Sequence, residues 1–148
     1  MSLGNIFDVA GTGMNAQSLR LNTTASNLAN AQSASSSIKD VYRSRQPVFS
    51  AIQKDAMSQA LNGDKTANEE DSQAGVQVLG IVQSNAPLER RYEPTHPKAD
   101  KDGYVFYPNV NVVEEMTNMI SASRSFQMNV EVMNSAKQMV SRVLTLGQ

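Results

Sequence analysis

No cysteine and no tryptophan occur in this chain of 148 residues, and aromatic residues make up only 5% of it. The missing cysteine excludes disulfides, thiolate nucleophiles and cysteine-based zinc sites. It leaves the compartment open, because an oxidising space permits disulfides without requiring them. The scarcity of aromatics argues against a large aromatic core. An excess of either charge is lacking too: 13 basic residues against 14 acidic ones leave a net charge of −1. That gives no electrostatic reason to expect nucleic acid or an anionic membrane as the main partner. No apolar run approaches the roughly 18 residues that a bilayer span requires. The opening residues MSLGNIFDVAGTGMNAQ carry neither the basic segment nor the apolar core of a secretory signal. Passage out of the cytoplasm is therefore expected to use another export route.

What the chain does have is valine, isoleucine, leucine and eight methionines, in a length that suits one domain or a small domain with extended arms. Over residues 3–30 the large apolar residues Phe7, Met14, Leu21 and Leu28 recur every seven positions, with Ala10, Ala25 and Ala31 beside them. Seven-residue spacing keeps one stripe on one side of a helix. Gly11, Gly13, Asn22, Thr23, Thr24 and Asn27 nevertheless each cost about 0.5–1 kcal/mol against alanine in a helix interior. This helix is expected to be marginal alone.

The polar run QSASSSIKD (32–40) reads as a loop. VYRSRQPVFSAI (41–52) reads as an edge strand or extended arm, since Pro47 cannot donate to an inner ladder. Residues 53–75, poor in apolar side chains, read as an exposed loop open to disorder. Val76, Val78, Ile81 and Val82 give the clearest strand pattern, with a bulge expected at Gly80. An Asp102–Gly103 turn and the short strand YVFY complete a small β unit.

The strongest pattern is the last. From Val112 to Leu144 one stripe runs Val112, Met119, Phe126, Met133, Val140, and a second runs Met116, Ser123, Val130, Lys137, Leu144. Asn111 is placed as N-cap with Glu114 three residues on, the capping-box arrangement. Glu114 and Glu115 lie near the positive helix end, Lys137 and Arg142 lie toward the negative one, and Gly147 is placed to stop the helix. At ~1.5 Å per residue such a helix is about 50 Å long. The fold expected is mainly α: long terminal helices pairing as an antiparallel coiled coil, with a small β-rich unit and a loop inserted. In residue ranges, 1–31 and 111–148 form the helical part and 32–110 the insertion, of which about 53–75 is flexible. Each large seam residue buried contributes roughly 1.5–3 kcal/mol, enough to offset poor helix propensity. Two helices still leave apolar surface facing outward, so seams completed by neighbouring copies or related subunits are expected.

Candidate chemistry is thin. His96 with Asp100 and Asp102 offers neither a zinc ligand set nor an ordered nucleophile–base pair, and a turn role is the better reading. Asp100-x-Asp-Gly lacks the later acidic ligands of a calcium loop. Arg90 and Arg91 beside Tyr92 in a neutral chain read as a solvated edge or a subunit contact. Met116, Met119, Met128, Met133 and Met139 suit either core filling or a groove that adapts to several partners. A long amphipathic helix also suits a helical adaptor or chaperone-like module. Binding to a lipid surface ranks lower, because the polar face is not enriched in basic residues.

Two stretches carry a resemblance. SNLANAQS (26–33), with Asn27, Leu28, Ala29 and Asn30 at its centre, resembles the signature of bacterial flagellar rod, hook and filament-axis proteins. Ser33 stands where threonine is usual in that family. Residues 92–148, including HPKAD, GYV, PNVNVVEEM, ISASRSFQ and LTLGQ, are similar nearly throughout to the C-terminal half of flagellar proximal-rod subunits. The resemblance implies a non-enzymatic structural subunit of the basal-body rod in the periplasmic space, without cofactor or small-molecule substrate. It also implies terminal helices packed in the inner layer of an axial tube and export through the flagellar type III apparatus. The partners implied are other rod proteins, copies of the chain itself, and the basal-body base or export gate. Nucleic acid and direct membrane insertion are not expected. The assembly surface is then expected on Phe7, Met14, Leu21, Leu28, Val112, Met116, Met119, Phe126, Val130, Met133, Val140 and Leu144.

Overall fold

The computed structural model describes residues 3–52 and 74–146. The expected loop over most of 53–75 and the expected stop at Gly147 lie outside the described residues. Two long helices open and close the chain: α1, Leu3–Asn30, and α2, Val112–Leu146. Between them stand β1 (Arg45–Ile52), β2 (Gly75–Gln83), β3 (Glu89–Tyr92) and β4 (Tyr104–Tyr107). The strands form two separate antiparallel pairs, β1 with β2 and β3 with β4.

The start of α2 follows from its cap. The Asn111 side-chain oxygen accepts from the amides of Val113 at 3.1 Å and Glu114 at 3.4 Å, satisfying donors that have no partner inside the helix. The reciprocal bond from the Asn111 amide to the Glu114 carboxylate, which the capping box predicts, is absent among the described residues. Glu114 lines a cavity beside Arg20 instead.

α1 survives its poor propensity by two devices. Its threonines bond backward, Thr23 Oγ1 to the Leu19 carbonyl and Thr24 Oγ1 to the Arg20 carbonyl, each at 2.8 Å. Both residues can thus be buried without an orphaned hydroxyl. The second device is close contact with α2. A Cβ on Gly13 would stand 2.9 Å from the Asn129 amide nitrogen, so the Asn129 side chain of α2 lies directly over Gly13. Arg20 donates to Asn118 at 2.9 Å and Asn27 to Glu115 at 3.0 Å. Residue numbers therefore fall along α1 as they rise along α2.

Small side chains, not large ones, form the most buried line between the helices. Ala10 and Ala16 on α1 and Ala122 and Ala136 on α2 are buried. The large heptad residues flank that line: Phe7, Met14, Leu21 and Leu28, and Val112, Met119, Phe126, Val130, Met133 and Val140, are all partly exposed. Met116 and Leu144 are exposed, and Ala25, expected on the apolar face, is exposed as well. The reason is distance: helices that approach closely do so over alanine and glycine, and longer side chains are pushed to the rims. Ala122→Leu is accordingly expected to destabilise the helix pair by about 1–3 kcal/mol through overpacking at a fully buried site. Urea unfolding checks this, and an unchanged midpoint would mean that the helices do not touch there.

The β pairs follow their sequence patterns. In the β1–β2 register Val48 faces Gly80 and Phe49 faces Val78, so Leu79 is the extra residue of a bulge next to Gly80. Gly103 takes the expected turn with φ +80°, a conformation that favours glycine, and its amide donates to the Asp100 carbonyl at 2.8 Å. β4 is anchored by a bridge from Ser35 to Phe106, two backbone bonds of 3.0 Å, and Val105 is wholly buried. The expected edge character of β1 holds, since Pro47 sits in a two-stranded sheet.

Candidate assembly surface

Two features stand out as functional: a polar junction where the chain's parts meet, and a set of exposed apolar side chains on α2. The junction centres on Asn27, which is 0% exposed. Its amide nitrogen donates to the Arg45 carbonyl at 2.7 Å and to Glu115 Oε1 at 3.0 Å. Its carbonyl oxygen accepts from the Tyr42 hydroxyl at 2.8 Å and the Arg45 amide at 2.9 Å. Both hydrogens and both lone pairs of one amide are used, which no other side chain of that size can do. One residue thus ties the end of α1 to the start of β1 and the first turn of α2.

The rest of the asparagine motif ends the helix. Asn30 donates to the Ser26 carbonyl at 2.8 Å, while the Ser33 hydroxyl and amide both donate to the Asn30 carbonyl, at 2.8 and 3.0 Å. Ser33 keeps the hydroxyl that closes α1 without a glycine cap. Leu28 is partly exposed and Ala29 exposed, so they lie outside the junction.

Asn109 is a second anchor that sequence reasoning did not single out. Its side-chain oxygen accepts from the Ser44 amide at 2.9 Å and its nitrogen donates to the Ala86 carbonyl at 3.0 Å. Only its place within PNVNVVEEM marked it. The small-residue contact line was missed as well, because alanine and glycine barely register in a hydropathy pattern.

Glu115 is 5% exposed, and burial, the largest influence on it, pushes its carboxyl above the usual glutamate range. The bond from Asn27 opposes the shift and the neighbouring Glu114 adds to it. Oε2 of Glu115 is buried without a hydrogen-bond partner.

The other sequence candidates fall into local roles. His96 Nδ1 accepts the Lys98 amide at 3.1 Å within its own turn. Arg90 lies over the Tyr104 ring at 4.3 Å and Arg91 over Tyr107 at 4.9 Å, with Arg91 also paired to Glu89 at 2.9 Å. Both arginines therefore stiffen the β3–β4 hairpin. Among the described residues no group of three or more histidine or acidic side chains is gathered as for a metal ion, and no helix is long and apolar enough to cross a membrane.

Exposed apolar side chains recur along α2 among polar ones. Val113, Met116, Ile120, Met128, Val132, Met139 and Val143 are all exposed. Val113, Met116 and Ile120 lie on the side of α2 away from Glu115 and Ala122, whereas Val132, four residues before Ala136, shares the side of Ala136 and borders a cavity with Ile6, Val9 and Ala10 of α1. Among the described residues, Val113, Met116 and Ile120 gather on one side near the start of this 35-residue helix, and the others are spaced along it between polar side chains.

Comparison with known proteins points to the same two ends. Residues 7–32 match the family model described as flagella basal body rod protein, and residues 101–146 match that of the flagellar basal body rod FlgEFG protein C-terminal. The chain is 48% identical over 148 residues to the flagellar basal-body rod protein FlgC of Salmonella typhimurium and 49% identical to that of Escherichia coli, covering 100% of both chains in each case. Against the FlgC protein of Borreliella burgdorferi it is 36% identical over 153 residues, covering 100% of this chain and 99% of that one.

Proposed function

The chain belongs to the FlgC family of flagellar basal-body rod proteins, and from that membership we infer how this structural rod subunit is built into its assembly. The two terminal helices pair as an antiparallel coiled coil and form the inward-packed part of the rod. Residues 1–31 and 111–148 make up that helical part, and 32–110 form the inserted unit. The place of action is the proximal rod in the periplasmic space, reached unfolded through the flagellar type III system. The neighbours are copies of this chain, other rod proteins and the basal-body base or export gate. The role is mechanical, with no catalytic step.

The single observation that carries this reading is the set of exposed apolar side chains on α2, which the other described residues leave uncovered. The partly exposed heptad residues Phe7, Met14, Leu21, Leu28, Met119, Phe126, Val130, Met133 and Val140 flank the helix pair, where a neighbouring helix can complete their burial. Methionines at 116, 128 and 139 suit contacts that differ from neighbour to neighbour, because thioether side chains repack easily.

The absence of cysteine supplies the test. Cysteines placed at Ser18 and Ser123, singly and together, are treated with a short maleimide crosslinker in flagellated cells. The expected adducts join this chain to itself or to other rod proteins and are confined to basal bodies. Adducts found only in the soluble fraction would overturn the reading in favour of an exchangeable helical adaptor.

A further inference from the structure

The junction around Asn27 holds an ionisable group that no assembly contact explains. Glu115 sits in the first turn of α2, 5% exposed, at the point where α1, the start of β1 and α2 converge. One carboxyl oxygen takes the Asn27 amide at 3.0 Å and the other has no partner. Among the described residues the only ion pair is Arg91 with Glu89, so Glu115 is not neutralised by a salt bridge. A charged carboxylate with one satisfied oxygen in such a place is costly, and gaining a proton is the cheaper solution.

We propose that docking the first turn of α2 onto the end of α1 takes up a proton at Glu115, making the junction a clasp that tightens in mild acid and loosens as pH rises. The charged groups facing Glu115 set the limits of this effect. Arg20 from α1 and Arg45 from β1 line the same cavity of about 360 Å³, with Glu114 from α2. Arg20 is committed to Asn118 at 2.9 Å, and its attraction is the weakest of the influences on Glu115. Tyr42 reaches the site only through Asn27. The Ser44 hydroxyl, like the Asn27 amide, favours the charged form, but burial is the largest influence and the net shift is upward.

The sign follows from linkage. A carboxyl whose value is raised in the docked state binds more protons there than in the opened state. Its contribution is full below the ordinary glutamate value and is lost as pH rises through the raised one. The clasp reading does not depend on the rod assignment, since it concerns the chain's own closure.

The test is a carbon-13 carboxyl titration of the full chain from pH 3 to 8, with the Glu115 signal assigned as the one lost in Glu115→Gln. The expected midpoint lies above that of an ordinary glutamate. Urea unfolding at pH 5 and pH 7 should show wild type losing stability on going to pH 7, while Glu115→Gln, which keeps the Asn27 bond, shows a smaller loss. A Glu115 midpoint at or below the ordinary value would overturn the proposal, whether because the group is stably charged or because the junction is not closed. An identical pH profile for wild type and Glu115→Gln would overturn it equally.

Discussion

Replacing Asn27 with alanine is expected to separate the two ends of the chain, with a loss of about 3–5 kcal/mol, since several buried polar partners are orphaned together. The Arg45 amide, the Arg45 carbonyl, the Tyr42 hydroxyl and Glu115 Oε1 each lose a bond of 2.7–3.0 Å. Asn27 is fully buried, so water cannot fill every vacancy. Alanine is the better helix former, and its gain of about 0.7 kcal/mol or less is too small to compensate. Asn30→Ala is the internal comparison. Its side chain makes one bond, to the Ser26 carbonyl, and its removal is expected to cost about 1 kcal/mol. Denaturant unfolding of both variants, followed by helical circular dichroism, decides the matter. An Asn27→Ala midpoint no lower than that of Asn30→Ala would show that the junction contributes little.

That contrast also marks how much of the molecule could be read from its residues. Most elements were legible because they are announced locally, whereas β3, four exposed residues without apolar alternation, was read only as a solvated edge or a subunit contact. Asn111 caps a helix that begins at Val112, Gly103 takes a turn that favours glycine, and the valines of β2 alternate up to a bulge beside Gly80. The asparagine motif was legible only as a resemblance. Nothing within residues 26–33 says that Asn27 will meet Arg45 and Glu115, because those partners are 18 and 88 positions away. Between the helices the expected heptad residues are partly exposed, and the buried residues are small ones. Heptad spacing locates an apolar stripe, but the buried positions are the small residues Ala10, Ala16 and Ala122. Large residues dominate any hydropathy count, so the contact line stayed hidden beneath them.

The same displacement of large side chains to the rims and the outside gives the second large effect. Ile120→Asp combined with Met128→Asp is expected to leave the isolated chain within about 0.5 kcal/mol of wild type per site, since both side chains are exposed, 56% and 59%. In the assembled state each aspartate would be forced against an apolar neighbour. A buried carboxylate without a partner costs several kcal/mol, and the cost recurs at every copy. The expected phenotype is normal expression and solution unfolding, with the subunit missing from purified basal bodies and swimming abolished. Phe126→Asp, at a partly buried site on the rim of the helix pair, is expected to lose both stability and assembly. The pair of variants therefore distinguishes folding from incorporation. If the double outer variant assembles and swims normally, the outer side of α2 faces solvent in the rod, and the seams that build it must be sought on the rims of the helix pair alone.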